Sequence, residues 1–483
     1  MIGRILLPLC FFFSIGLTAQ QLVLAAAASS SKVVTTLPGF DGLLPFHLET
    51  GYVEVDEVNG AELFYYFVGS EAGGEDAPFL LWLTGGDHCS VLSGLALEIG
   101  PFQFVIEPYN GTVPSLQLNP YSWTKVANIL FVDSPVGAGF SFSRKPEGYN
   151  VGDVSASLQL HELLIKWFTD HPAFLANHLY IGGDSYAGKI VPFIAQKISE
   201  GVEAGRSPHL NLKGYLVGNP ATGEIIDYSA AVPYAHGVGI MSDQLYETIG
   251  GHCHGEDYKY PTNALCAQAL DTYKSLLSEV RWGQILLDNC GGFTSTGPGR
   301  EMDDSAGAGR KILSEEKDGA ETVKRLRNPP PSPTLDCQTY GIYLSYFWAN
   351  DQGTRDALGI KDGTVEEWVR CHNGDMPYTT DIRSSIKYHR NVTANGYRAL
   401  VYSGDHDAMV PHLGTQAWVR SLGFPIVDDW RAWHLQGQSA GFTITYSNNM
   451  TFATIKGAGH TAPEFEPERC FAMFSRWILN QQL

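Results

Sequence analysis

Positive charge is scarce in this chain: 32 Lys and Arg stand against 51 Asp and Glu, a net charge of −19 with His neutral. Neutralising a phosphate backbone needs a dense basic surface, so a nucleic-acid partner is excluded. The acidic surplus reads as solubility, with residence in an acidic compartment as the alternative. Among eight cysteines and 15 histidines there is no CxxC pair and no zinc-site spacing, so no metal is expected. Glycine-rich segments lack nucleotide-binding spacing in a strand-to-helix context, and no cofactor is expected. Repeats at solenoid periods are missing too.

What is present is enough for a large core: 44% of residues are hydrophobic and 12% aromatic, which argues against wholesale disorder. Arg4 precedes an apolar run from Ile5 to about Leu24 and a small-residue stretch Ala25 to Ala28, the layout of a cleaved signal peptide over about residues 1–26. Ser14, Gly16, Thr18, Gln20 and Gln21 interrupt the run, which disfavours a retained anchor, and no later segment reads as membrane-spanning. No membrane association is therefore expected after cleavage. Three sequons, at Asn110, Asn391 and Asn449, fit passage through the secretory route. With Cys10 in the signal, Cys89, Cys253, Cys266, Cys290, Cys337, Cys371 and Cys470 remain. Three bridges and one free thiol are the simplest account in an oxidising compartment, and the pairing is open at this point.

Short apolar runs ending in glycine-rich or acidic turns, at Phe79 to Leu83, Ile129 to Val132 and Leu179 to Ile181, read as buried parallel strands. Helical spacing of Val154, Leu158, His161, Leu164, Ile165 and Phe168, then of Ile190, Ile194 and Ile198, places helices between and after them. Later runs at Tyr215 to Val217, Leu400 to Tyr402 and Phe452 to Ile455 extend an α/β alternation, hence a mostly parallel sheet with helices on both faces. Residues 27–483 read as one domain, with 220–335 as a helical lid inserted over the sheet edge. Within it, 291–333 is rich in Gly, Ser, charge and proline and reads as an exposed loop open to nicking.

Gly183-Asp184-Ser185-Tyr186-Ala187-Gly188 follows an apolar strand and opens a helix, the context of a nucleophile elbow. Gly183 and Ala187 are small because larger side chains two before and two after the serine would collide. The backbone N–H of Tyr186 then points toward a developing oxyanion, and Gly86 would supply a second donor. Gly437-Gln-Ser439-Ala-Gly441 fits the short motif more literally, but alternation from Phe442 to Tyr446 reads as a strand, not a helix. A serine hydroxyl needs a histidine base and a carboxylate behind it. In hydrolases of this fold the order is serine, acid, histidine, which selects His460 in its glycine-flanked loop and leaves Asp405 and Asp407 as competing acids. The aromatics of the insertion and of Trp430 to His434 could build an aromatic wall beside such a site.

These segments together are specific. Leu81-Trp-Leu-Thr-Gly-Gly86 with Cys89, Phe131 to Gly137 with Gly139-Phe-Ser141, Gly183 to Gly188, Leu216 to Asn219, Ser403 to Asp407 with Val410-Pro411, and Gly457 to His460 resemble the plant serine carboxypeptidase-like proteins over nearly the whole chain. The resemblance implies an α/β-hydrolase fold, a triad of Ser185, Asp407 and His460, and an oxyanion hole from Gly86 and Tyr186. It also implies disulfides Cys89–Cys371, Cys253–Cys266 and Cys290–Cys337 with Cys470 free, excision of the 291–333 loop in some members, and a vacuolar or extracellular destination. Carboxypeptidases of the family carry Asn and Glu where this chain has Thr84 and Asp184, two positions that bind a peptide's terminal carboxylate. A hydroxyl and a shorter acid change reach and donor count there. The pattern is similar to that of the acyltransferase branch, which moves an acyl group from a 1-O-β-glucose ester to an acceptor hydroxyl or amine. Peptide C-termini are the alternative substrates, and a non-catalytic secreted binding protein is the third reading. Asp87-His88 stands where both branches have Pro-Gly, which loosens the turn beside the oxyanion hole.

Overall fold

The computed structural model describes residues 30–73, 77–290, 326, 329–372 and 374–483. The expected signal segment and most of the expected 291–333 linker lie outside the described residues.

A 12-stranded sheet organises the chain. Its strands are β1 (Ser30–Val34), β2 (Leu48–Asp56), β3 (Ala61–Val68), β4 (Phe79–Leu83), β5 (Asn128–Val132), β6 (Phe142–Ser143), β7 (Leu179–Asp184), β8 (Leu212–Gly218), β9 (Arg398–Gly404), β10 (Ile426–Leu435), β11 (Gln438–Tyr446) and β12 (Met450–Ile455). They lie in the order β1-β2-β3-β5-β4-β7-β8-β9-β12-β11-β10, with β6 beside β3. From β5 to β12 the ladders are parallel, and both flanks are antiparallel. The sheet is thus mixed, with the expected parallel arrangement confined to its centre.

Two cores form because side chains alternate across a pleated strand. Phe79, Leu81 and Leu83 pack on one face with Ile181, Val217 and Val401. Helices α1 (Asp153–Asp170) and α2 (Ala187–Glu203) cover that face, burying Leu160, Leu163, Leu164, Trp167 and Phe168 from the first and Ile190, Val191, Ile194 and Ile198 from the second. Leu80, Trp82, Leu216, Leu400 and Tyr402 point to the opposite face. Between β8 and β9, helices α3 (Asp243–His252) and α4 (Ala264–Leu277) build a small separate core around Tyr234, Ile249, Leu270 and Tyr273. Helix α5 (Tyr340–Asn350) returns to the main core through Tyr340, Leu344 and Trp348.

The three disulfides are those the resemblance implied: Cys89–Cys371, Cys253–Cys266 and Cys290–Cys337. Cys470 is unpaired and buried. All three sequon asparagines, Asn110, Asn391 and Asn449, are exposed. No helix among the described residues is long and apolar enough to cross a membrane.

One expectation needs correction. Trp430 to His434 is not part of a wall near Ser185: it lies in β10, the outermost strand on the far flank. Five strand positions separate β10 from β7, roughly 24 Å at about 4.8 Å each. There Trp430 stacks on Phe442 at 5.6 Å. The segment reads poorly as a strand because an edge strand with one solvated face has no continuous apolar run. It joins β11 through Gln436 and Gly437, both with positive φ (50° and 75°), the signature of a tight hairpin turn. Ser439 therefore sits in a hairpin strand, its hydroxyl on the Gly441 carbonyl.

Candidate active site

Ser185 occupies the turn between β7 and α2 with φ 53°, a left-handed conformation that costs a non-glycine residue of order 1 kcal/mol or more. Its backbone holds the turn from both sides: its N–H donates to Gly218 O at 2.9 Å, and its carbonyl accepts from Gly188 and Ala221, each at 3.0 Å. The expected crowding is present. A Cβ on Gly183 would lie 2.7 Å from the Cβ of Ala187 and 2.6 Å from Leu83 O, and one on Gly85 would lie 2.4 Å from the Ser185 Cβ. These glycines let β4 and β7 bring their C-terminal turns together at Ser185.

His460 reaches Ser185 from the loop after β12. Its Nε2 is 2.7 Å from Ser185 Oγ, and its Nδ1 is 2.8 Å from Asp407 Oδ2. With a carboxylate on Nδ1, that nitrogen carries the proton, and Nε2 is left to accept from the serine hydroxyl. The His460 amide donates to Gly283 O at 2.6 Å, which ties the histidine loop to the inserted segment.

Asp407 is fully buried. It also accepts from Met409 N at 2.7 Å, Val410 N at 3.2 Å and Asn219 Nδ2 at 2.8 Å. Asn219 is held in turn by the Gly404 amide, which donates to its Oδ1 at 3.1 Å. Asp405, the competing acid, faces elsewhere: it accepts from Gly457 N at 2.7 Å and pairs with His406 Nδ1 at 2.6 Å. The structure thus brings together Ser185, His460 and Asp407 and leaves Asp405 to tie the two loops. Asn219 was visible only as part of a motif; its contact with Asp407 has no local sequence signal, because 188 positions separate the two.

The amides of Gly86 and Tyr186 donate to no carbonyl or side chain among the described residues. Two free N–H groups at the ends of β4 and β7, flanking a serine, can receive a developing oxyanion. Asp184 is buried; its Oδ1 accepts from Gly85 N at 2.8 Å, and its Oδ2 has no partner among the described residues. The Thr84 hydroxyl is likewise buried and without a partner among the described residues. Burial pushes the Asp184 carboxyl up to about 6. Glu98 and Glu464 are raised as well, burial again being the main cause, with Arg370 lowering both. Sequence reading missed this acidic cluster; an acid inside the apolar stretch Leu95 to Ile99 was its one available cue. Among the described residues no group of His, Cys, Asp and Glu is placed to hold a metal.

Burial disfavours the His460 imidazolium, but the charge and hydrogen bond of Asp407 outweigh it and Asp184 adds to them, so its pKa lies above the ordinary histidine value. Base catalysis needs the neutral ring, so kcat/KM is expected to fall on acidification through a limb above about pH 6.5. Asp184→Asn removes one charge favouring the imidazolium, and a pH–rate profile should show that limb displaced toward acid. An unmoved limb would mean that Asp184 does not reach the histidine electrostatically.

The comparisons with known proteins decide the family. A serine carboxypeptidase family model matches residues 38–480. The chain belongs to the serine carboxypeptidase family. Serine carboxypeptidase-like 19 of Arabidopsis thaliana is 45% identical, covering 94% of this chain and 95% of its own length. Serine carboxypeptidase-like 11 of the same plant is 44% identical, covering 94% and 95%. Among solved structures, the prohormone-processing carboxypeptidase Kex1(delta)p of Saccharomyces cerevisiae superposes with a TM-score of 0.68 at 18% identity, covering 90% of this chain and 92% of its own. That likeness is of fold, the α/β-hydrolase fold. Family membership and this fold support an enzyme.

Proposed function

We propose that this family member is an acyltransferase, moving an acyl group from a 1-O-β-glucose ester through an ester on Ser185 to an acceptor hydroxyl or amine. Ser185 Oγ attacks the ester carbonyl while His460 Nε2 takes its proton; Asp407 holds the ring and balances the imidazolium. The tetrahedral oxyanion is received by the amides of Gly86 and Tyr186. His460 then returns the proton to the departing sugar oxygen, leaving the acyl-enzyme. In the second half the acceptor attacks the acyl carbonyl, His460 takes its proton, and Ser185 leaves with that proton.

Peptide hydrolysis would share the first half, so the transferase reading has to come from the leaving-group side. The observation that carries it is Asp184: its carboxyl is buried, one oxygen is taken by the Gly85 amide, and its neighbour Thr84 offers a hydroxyl and no amide. A peptide's terminal carboxylate meets a poorer donor set there. The three disulfides and exposed sequons support a secretory route ending in the vacuole or outside the cell, and the helical segment touching His460 through Gly283 supports a lid.

The test is a mass-spectrometric product assay with a hydroxycinnamoyl glucose ester and mixed plant acceptors, run beside blocked dipeptides. New acyl conjugates that vanish in Ser185→Ala would establish the transferase; released C-terminal amino acids without conjugates would make it a carboxypeptidase. Replacing Thr84→Asn and Asp184→Glu together is expected to raise peptide cleavage relative to transfer by about tenfold or more, the scale of one recovered polar contact. An unchanged ratio in the same assay would sink the pocket argument.

A further inference from the structure

Asp153 opens helix α1 with its side chain fully buried, and four donors converge on it. Oδ1 accepts from Tyr186 OH at 2.6 Å and Tyr378 OH at 3.0 Å; Oδ2 accepts from Lys189 Nζ at 2.8 Å and Ile382 N at 2.9 Å. Lys189 is itself almost wholly buried, donates to Tyr186 OH at 3.2 Å and lies 4.7 Å from the centre of that ring. Burial above all, with Asp153, pushes both tyrosines well above the usual phenol range, so both stay neutral donors.

The cluster adjoins both arms of the proposed oxyanion hole. Tyr186 carries one free amide, and its side chain is clamped by Asp153 and Lys189. Tyr378 meets the Tyr186 ring at 6.0 Å and the His88 ring edge-on at 5.3 Å. His88 lies two residues beyond Gly86, which carries the other free amide. It is buried, its carbonyl accepts from His372 N at 3.2 Å, and the Cys89–Cys371 bridge follows it. A histidine in place of glycine at this position fills the space against Tyr378 and braces a turn that has no proline.

Given the acyl-enzyme reading above, on which this step depends, we infer that the buried Asp153–Lys189 pair, acting through Tyr378, positions the Tyr186 and Gly86 amides for the oxyanion. These are positioning residues, since none of them touches the reacting atoms. A buried ion pair is a poor source of net stability but a strong directional constraint, and removing one partner leaves the other charge uncompensated. An oxyanion donor has to be in place before charge develops, so a turn held on both sides by one rigid cluster keeps that geometry without reorganisation. The effect belongs to the transition state and not to ground-state binding.

The experiment compares Lys189→Met, Lys189→Arg and Tyr378→Phe with the unmodified full-length protein, using a fluorophosphonate to count reactive Ser185 sites. For each, kcat and KM per titrated site are measured with the glucose ester, and Ki with a boronic acid analogue of the acyl group. Lys189→Met and Tyr378→Phe are expected to lower kcat by about 10- to 100-fold, part of the loss seen when an oxyanion donor is deleted outright. KM should stay within about twofold and the boronate should weaken in parallel with kcat, while Lys189→Arg restores most of both. Tyr378→Phe removes one oxygen and serves if Lys189→Met does not fold. If kcat per site and boronate affinity are unchanged and only the number of titratable sites falls, the cluster is a folding element and the inference is wrong. If the unmodified protein fails to take the fluorophosphonate at Ser185, it is the acyl-enzyme reading that falls.

Discussion

Ser185→Ala is expected to lower turnover by about 10⁴- to 10⁶-fold, the range seen when a nucleophile is removed from such a triad, while the protein stays folded. The second half of that expectation follows from the backbone. Ser185 sits at φ 53°, and alanine keeps the Cβ that makes this conformation unfavourable, so strain is neither added nor relieved. The Cβ also keeps its close fit opposite Gly85. What disappears is the hydroxyl and its 2.7 Å contact with His460. Stability should shift by no more than about 1 kcal/mol, the net worth of one hydrogen bond. Steady-state turnover of the glucose ester beside a thermal melt checks both halves. Wild-type rates in a folded variant would remove Ser185 from the mechanism, and a variant that fails to fold would show that the elbow needs the hydroxyl for its shape.

Legibility in the sequence follows burial for the central strands but not for the antiparallel flank. The central strands β4, β5, β7, β8, β9 and β12 were readable because parallel strands covered on both faces are nearly continuous apolar runs. Strand β10 went unread because it is an edge whose one buried residue is Trp433, and such strands carry weaker patterns. Strands β1 to β3 went unread as well, although β3 is buried along its whole length, because an antiparallel hairpin has no glycine-rich active-site turn to mark its end. The elbow was readable because the turn forces small residues at fixed offsets, and Ser439 could be set aside because a strand, not a helix, follows it. Chain order alone could not separate Asp405 from Asp407; they sit two residues apart in one loop, and only the side-chain directions distinguish them. The Asp153–Lys189–Tyr378 cluster left no trace at all. Its members come from two helices and a short strand up to 225 positions apart, and a buried ion pair reads in sequence as two ordinary surface charges.

The two acids give the sharper test of the site. Asp407→Asn is expected to lower kcat by about 10⁴-fold, because an amide on His460 Nδ1 permits the tautomer that places the proton on Nε2, where it cannot accept from serine. It should also destabilise the fold. Asp407 accepts from Met409 N, Val410 N and Asn219 Nδ2 besides His460, and an asparagine has one accepting oxygen in place of two. Whichever way its amide turns, at least one buried donor faces another donor, at a cost of about 1–3 kcal/mol. Asp405→Asn is different on both counts. Its carboxylate is partly exposed and holds His406 and Gly457, so it influences His460 only through the loop, and a loss in kcat of about tenfold or less is expected. Measuring kcat and thermal stability for both variants separates the roles: a large loss in Asp405→Asn with near-normal turnover in Asp407→Asn would reverse the assignment. Comparable large losses in both would mean that the Asp405 tie to Gly457 sets the histidine's position as strictly as its direct partner does.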